Sequence, residues 1–166
     1  MVRMLANSEV AQFLAFFAPL CLLCGALALI DIRHGIIPDE LNLSIAGLGL
    51  LKAAVAGGFA ASAEAIIEAA AIGGTFWLLR RLYFMWRKID GLGLGDVKFL
   101  AATAPWIGVG GIPMLLLIAA ITALGAAGGL RLAGQTMTRQ TSLPFGPFLA
   151  MGLLLTLAAQ QWLGAA

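Results

Sequence analysis

Long apolar segments dominate the chain and alternate with short polar stretches. Uncharged runs near or above the roughly 20 residues needed to cross a bilayer recur along it, at residues 11–30, 99–130 and 142–166. Residues 41–60 carry a single charge, at Lys52. The longest run exceeds one crossing and contains the turn signal Gly108-Val109-Gly110-Gly111-Ile112-Pro113, so it is predicted to form two helices.

The pattern predicts six helices, at residues 11–31, 41–58, 63–86, 97–108, 112–132 and 145–163. Aromatic residues fall near the predicted helix ends and are expected to anchor the protein at the membrane interface: Trp77, Tyr83, Trp86, Trp106 and Trp162. The predicted fold is therefore an all-α, polytopic membrane bundle of six transmembrane helices, forming a single domain over residues 1–166.

Composition supports a membrane protein. Hydrophobic residues make up 61% of the chain and charged residues 11%, whereas soluble domains carry about 25% charged residues. The 21 glycines suit closely packed membrane helices. We therefore expect membrane lipid, and no nucleic acid, among the partners of this chain.

The basic residues predict the orientation. Most of them fall in the first, third and fifth predicted loops, namely Arg33, Arg80, Arg81, Arg87, Lys88, Lys98, Arg131 and Arg139. Only Arg3 and Lys52 lie toward the opposite side. By the positive-inside rule, the odd loops are cytoplasmic and both termini lie outside.

Two aspartates stand at the edges of apolar segments on that cytoplasmic side. Asp31 follows the run 11–30 and opens the string DIRHGIIPDELN, and Asp96 lies in GLGLGDVKFL. An acid at membrane depth is costly, which makes each a candidate functional residue. Two neighbouring carboxyl groups, one ionised and one protonated, can hydrolyse a peptide bond without a metal or a covalent intermediate.

The glycines before Asp96 fit that chemistry. Gly91, Gly93 and Gly95 remove side chains from a loop that must approach the substrate backbone. Asp96 is expected in the first turn of a helix, whose dipole favours the ionised carboxylate. The alternative is structural, with Asp96 as a helix N-cap and Asp31 as a solvated acid at the end of a span. The presence of both acids on one side of the membrane favours the functional interpretation.

The cysteines are expected to have a packing role. Cys21 and Cys24 form a C-x-x-C motif inside the first apolar run, but no other cysteine is present and His34 is the sole histidine. Leu, Pro and Ala surround both thiols, which is typical of structural cysteines. We predict no metal site and no cofactor.

Three segments resemble the type IV prepilin peptidases. DIRHGIIPDELN is similar to their D-x-R-x-x-x-I-P segment, GLGLGDVKFL to G-x-G-D-V-K-x-L, and LPFGPFLAMG to P-F-G-P-F-L-A-x-G. The resemblance implies an inner-membrane aspartyl protease that removes the basic leader of prepilin or pseudopilin precursors at the cytoplasmic edge, with Asp31 and Asp96 as the catalytic pair. It also implies an active-site loop of Gly91, Gly93, Gly95 and Lys98. The same segments supply candidate substrate-binding residues, namely Arg33, Pro38, Asp39, Pro144, Gly146 and Pro147.

The resemblance is to short, peptidase-only members of that family. Long members carry two C-x-x-C pairs in an N-terminal region associated with N-methylation, whereas about ten residues precede the first predicted span here. The expected substrates are the precursors of tight-adherence (Flp) pili, and no soluble methyltransferase or zinc region is expected. The G-x-G-D motif also occurs in presenilin-like proteases, but the other two segments favour the prepilin class.

Several alternatives stay open from the sequence. Asp39 could bind basic leader residues or cap the second helix, and Lys98 could tune catalysis or anchor lipid phosphates. Asp90 is expected to be solvated beside Arg87 and Lys88. Alternative functions are a small transporter or channel subunit that binds ions through its acids, and a membrane scaffold assembled through glycine-rich helices.

Overall fold

The computed structural model describes residues 2–88, 91–133 and 144–164, with side chains from Phe13 to Leu163. These residues form four helices, α1 (Val2–His34), α2 (Asp39–Arg87), α3 (Leu94–Leu132) and α4 (Gly146–Gly164). Within the described ranges there is no strand. The predicted all-α fold is confirmed.

The predicted count of six helices is wrong, because two pairs of predicted helices are joined without a loop. A single residue interrupts each of the two long helices: Gly58 in α2 (φ 69°, ψ −154°) and Gly108 in α3 (φ 65°, ψ 176°). Both glycines have a positive φ, which residues with a Cβ adopt only under strain. They are the last residues of the second and fourth predicted helices, so the breaks lie where the sequence pattern placed them.

Contacts with α3 show that α2 doubles back at Gly58. They pair Asp39 with Lys98 and Ile45 with Trp106 before the break, then Glu68 with Gly108 and Gly73 with Ala101 after it. The residue numbers of the α3 partners rise along the first arm of α2 (residues 39–57) and fall along the second arm (59–87). The two ends of α2 therefore lie at the same end of the bundle.

Contacts with α4 show the same reversal in α3. Asp96, near the start of α3, lines a cavity with the residues that precede α4, and Gln160 near the end of α4 donates a hydrogen bond to the Ile107 carbonyl (3.0 Å). Beyond Gly108, Leu115 packs against Gly152. The first arm of α3 (94–107) is thus parallel to α4, and the second arm (109–132) is antiparallel.

The core lies where α3 packs between α2 and α4, and α1 packs against α4. On α1, the core-facing residues are spaced four, three and four apart, and all are buried: Leu20, Cys24, Leu27 and Asp31. This spacing is that of one helix face. Asp31 therefore points to the interior of the bundle.

Trp106 is a core residue, and its predicted place at the membrane interface is wrong. Its side chain is only 4% exposed, and its indole N–H donates to the Ile45 carbonyl at 2.9 Å. A Cβ on Gly49 would lie 2.7 Å from the indole nitrogen. The absence of a side chain at Gly49 is what lets α2 and α3 approach at this point.

All four helices contain segments long and apolar enough to cross a membrane, at residues 13–34, 39–87, 94–132 and 146–163. A straight helix of the length of α2 (49 residues) would measure about 74 Å. The hydrocarbon core of a bilayer is only about 30 Å thick. The reversal at Gly58 accommodates this length, since the first arm alone measures about 28 Å.

We predict that Gly152→Ala destabilises the fold. The new Cβ would lie 2.6 Å from the Leu115 carbonyl oxygen, a backbone atom that cannot rotate away, so the cost should be about 1–3 kcal/mol. The midpoint of thermal unfolding in detergent should fall. Gly125→Ala is the matched control, because no atom lies within 4 Å of its Cβ position. Equal midpoints for the two variants would contradict this packing.

Candidate active site

Asp31 and Asp96 line the same cavity, of about 820 Å³, at one end of the bundle. Three parts of the chain form its walls: the end of α1 with the connection to α2, residues 91–96, and Pro144 with Phe145. Of the expected loop residues, Gly91 and Gly93 precede α3, whereas Gly95 and Lys98 lie within it. Residues far apart in the sequence thus surround one space. The cavity is open on one side and adjoins the residues that begin α2, α3 and α4.

Asp31 is held by the beginning of α4. Its side chain is 5% exposed, and its Oδ2 accepts a 2.7 Å hydrogen bond from the backbone N–H of Gly146. A Cβ at Gly146 would lie 2.7 Å from Oδ2 and 2.9 Å from Cγ of Asp31. Glycine is therefore required for this approach, and both the N–H and the positive end of the helix dipole stabilise a negative carboxylate.

Asp96 lies in the first turn of α3, as predicted. The N-cap position is Gly93, which has extended backbone angles, so the alternative of Asp96 as an N-cap is wrong. Asp96 shares its cavity with Asp31, and two neighbouring carboxyl groups disfavour simultaneous ionisation.

A side chain on any of the three glycines would collide with a neighbouring residue. A Cβ on Gly91 would lie 2.5 Å from the Tyr83 ring, a Cβ on Gly93 would lie 3.0 Å from Oδ2 of Asp96, and a Cβ on Gly95 would lie 3.0 Å from Cβ of Ile37. The loop is therefore packed closely between Asp96, the α1–α2 connection and the end of α2.

A side chain near the end of α2 also binds the backbone of the loop. The Nε of Arg80 donates a 2.8 Å hydrogen bond to the Leu92 carbonyl. Arg80 and Tyr83 were not among the predicted site residues. No local sequence pattern links Arg80 and Tyr83 to the loop, because only the return of the second arm of α2 brings them next to it.

Lys98 and Asp39 form an ion pair beside the cavity. The Nζ of Lys98 lies 2.7 Å from each carboxylate oxygen of Asp39, and neither residue lines the cavity. The N-cap of α2 is Pro38, and Asp39 is its first residue, so the alternative of Asp39 as a cap is wrong. Both side chains are partly exposed, hence the pair adds little stability, but it joins the starts of α2 and α3.

The remaining candidates are spread around this end of the bundle. Pro144 lines the cavity, Pro147 is half-buried in the first turn of α4, and Arg33 is exposed in the last turn of α1. Asp90 lies outside the described residues. The structure therefore brings together Asp31, Asp96, the loop glycines, Pro144 and Gly146, while Arg33, Pro147 and Lys98 lie outside the cavity wall.

The sequence is similar to known leader peptidases. The sequence model of the type IV leader peptidase family matches residues 18–128. A prepilin leader peptidase/N-methyltransferase from Burkholderia pseudomallei (strain 1026b) is 36% identical over 95% of the chain and 53% of that protein. One from Escherichia coli (strain K12) is 34% identical over 82% of the chain and 60% of its length.

A shorter relative is covered almost completely. The leader peptidase HopD of Escherichia coli is 39% identical over 83% of the chain and 86% of HopD. The chain thus spans about half of the prepilin leader peptidase/N-methyltransferase from Burkholderia pseudomallei and most of HopD. No solved structure matches it.

We predict that Gly146→Ala displaces the Asp31 carboxylate and lowers about 100-fold the peptidase activity proposed in the next subsection. The physical reason is that the new Cβ on residue 146 would lie 2.7 Å from Oδ2 of Asp31. This contact is too short, so the carboxylate would have to move away from the helix. Cleavage by the purified protein is the measurement, with Gly125→Ala as the control. Wild-type activity in Gly146→Ala would show that the Asp31 position is not critical.

Proposed function

Because the chain belongs to the type IV leader peptidase family, we propose that it is a membrane aspartyl endopeptidase that cleaves the basic leader from type IV prepilin or pseudopilin precursors. The observation that carries the proposal is that Asp31 and Asp96, from different helices, line one cavity. HopD, which the chain covers over 86% of its length, is described as a leader peptidase alone. Flp-type precursors are the proposed substrates, as the resemblance to short members implies.

In the proposed reaction, water is held between the two carboxyl groups. The ionised carboxylate takes a proton from the water as the water oxygen attacks the scissile carbonyl carbon. At the same time the protonated carboxyl group gives its proton to the carbonyl oxygen. Breakdown of the resulting diol breaks the C–N bond, and the leaving nitrogen receives a proton from the pair. Because the Gly146 N–H stabilises negative charge on Asp31, we assign Asp31 as the base and Asp96 as the acid in the first step.

The shape of the site suits an unwound peptide. A peptide bond inside a helix is shielded by its own hydrogen bonds and side chains, so the substrate must unwind where it is cut. Gly91, Gly93 and Gly95 line the cavity, so this part of its wall exposes backbone rather than side chains to a substrate. Membrane lipid surrounds the helices on which the site is built.

We further propose that the cavity faces the cytoplasm across a bacterial inner membrane. The helix ends around it carry most of the basic side chains, namely Arg33, Arg80, Arg81, Arg87, Lys88, Lys98 and Arg131. Lys52 lies toward the opposite end, in the first arm of α2. The positive-inside rule then places the site in the cytoplasmic half and both termini in the periplasm.

We predict that Asp31→Asn and Asp96→Asn each abolish leader cleavage while the protein still accumulates in the membrane. Asn keeps the size of Asp but cannot cycle a proton, and acid–base catalysis contributes about 10²- to 10⁴-fold. The N-terminus of a coexpressed prepilin, read by mass spectrometry, is the measurement. The double variant should be barely slower than either single variant, because the two groups act as one unit.

Asp39→Asn is the matched acid-to-amide control and should reduce cleavage only modestly, since Asp39 does not line the cavity. If either cavity variant cleaved at near wild-type rate, the two-aspartate mechanism would fail. Ion binding by a transporter or channel subunit would then be the better explanation of the two acids.

We predict the topology from the same charges. A reporter inserted between Arg87 and Asp90 should behave as cytoplasmic, and one fused after Ala166 as periplasmic. The internal insertion is the sharper measurement because it lies beside the glycine loop of the site. A periplasmic result there would place both aspartates on the wrong side for the proposed substrate.

A further inference from the structure

One face of the second arm of α2 packs against the bundle and continues to the segment that leads into α3. Its inward-facing residues are spaced seven, four and four apart: Ala65, Ile72, Phe76 and Arg80. Ala65 and Ile72 are buried, Phe76 packs against the core, and Arg80 is half-buried. This spacing is that of one helix face. The apolar stripe therefore ends in a basic side chain beside the entry to α3.

Arg80 holds this entry by its backbone. Its Nε–H donates a 2.8 Å hydrogen bond to the carbonyl of Leu92, twelve residues further along the chain. A charged donor makes such a bond about twice as strong as a neutral one. Tyr83 follows Arg80 by one turn on the same face, and its ring lies 2.5 Å from the position of a Cβ on Gly91. Two side chains of α2 thus contact two successive residues of the segment.

A short path joins the Leu92 carbonyl to Asp96. The C=O of Leu92 and the N–H of Gly93 belong to one planar peptide unit, so a bond to the first fixes the orientation of the second. Gly93 is the N-cap of α3, and its carbonyl accepts a 3.3 Å hydrogen bond from the N–H of Val97. The Cβ position of Gly93 lies 3.0 Å from Oδ2 of Asp96. The Arg80 bond therefore fixes the peptide plane directly before the turn that carries this carboxyl group.

Arg80 lies behind the wall of the aspartate cavity. Leu92, Gly93 and Asp96 line that cavity, whereas Arg80 does not. A guanidinium group at this place would also repel the basic leader of the proposed substrate. Contact with the substrate therefore does not account for an arginine here, whereas support of the cavity wall does.

We propose that Arg80 is a positioning residue, whose hydrogen bond to the Leu92 carbonyl holds the entry to α3 so that Asp96 faces Asp31 across the cavity. This inference rests on the proposed peptidase function. A misplacement of about 1 Å can cost a catalytic site about 100-fold in rate. Loss of one hydrogen bond frees the segment without unfolding α3, so the expected fall in rate is smaller, about tenfold.

Arg80→Met and Arg80→Gln separate the hydrogen bond from the charge. The amide nitrogen of Gln is bonded to Cδ, as is the Nε of Arg, so Arg80→Gln keeps an N–H donor at the same place along the side chain. Arg80→Met keeps a side chain of similar length without a donor. For cleavage of a precursor, kcat should fall about tenfold in Arg80→Met with little change in KM. In Arg80→Gln it should stay within about threefold of the wild-type value.

Arg81→Met is the matched control. It removes the same charge from the neighbouring residue, which is exposed, and its kcat should equal that of the wild type. If Arg80→Met kept the wild-type kcat, or if Arg80→Gln were as slow as Arg80→Met, the proposal would be wrong. A raised KM with an unchanged kcat would also overturn it, because Arg80 would then act on substrate binding.

Amide hydrogen exchange, measured by mass spectrometry in detergent, tests the same bond without a substrate. The Val97 N–H is protected while the Gly93 carbonyl keeps its place. Its exchange should be about tenfold faster in Arg80→Met and close to the wild-type rate in Arg80→Gln and Arg81→Met. Equal exchange in Arg80→Met and the wild type would contradict the proposal. If the wild type cleaved no precursor, the peptidase function would fail, and the exchange rates would still decide whether Arg80 holds the entry to α3.

Discussion

The hydrogen bond from the Gly146 N–H to Asp31 joins two residues 115 positions apart in the chain and determines how the site is assembled. A buried carboxylate without such a donor would be strongly destabilising. The bond requires that the end of α1 meet the beginning of α4 with no side chain between them. Packing of Leu20, Cys24 and Leu27 brings α1 to this position, so the core and the site depend on the same helix face.

The glycine loop is assembled by a different constraint, the return of α2. Arg80 and Tyr83 reach the loop because Gly58 reverses the chain. The reversal at Gly108 turns α3 back in the same way, so that its second arm packs against α4. The two positive-φ glycines therefore turn long apolar helices into a bundle whose candidate site residues gather at one end.

The sequence predicted the two aspartates and their neighbouring glycines because each lies in a local pattern at the edge of an apolar run. It also indicated both chain breaks, at Gly58 and Gly108, but not that each break is a single residue inside an otherwise continuous helix. The spacing of apolar residues indicates whether a segment is helical, but it does not reveal whether one residue within the segment has non-helical backbone angles. Burial of Trp106 was missed for another reason, since the room for its ring comes from Gly49 on a different helix.

The first arm of α3, residues 94–107, is shorter than a bilayer is thick. At about 21 Å, against a hydrocarbon core of about 30 Å, it has a hydrophobic mismatch of about 9 Å. Most side chains of this arm are buried between neighbouring helices rather than facing lipid, so the difference in length leaves room at its ends within the bundle. The cavity at the beginning of the arm, where Asp96 lies, occupies such a place and leaves space for water, the second reactant in the proposed hydrolysis, beside an acid at the edge of an apolar helix.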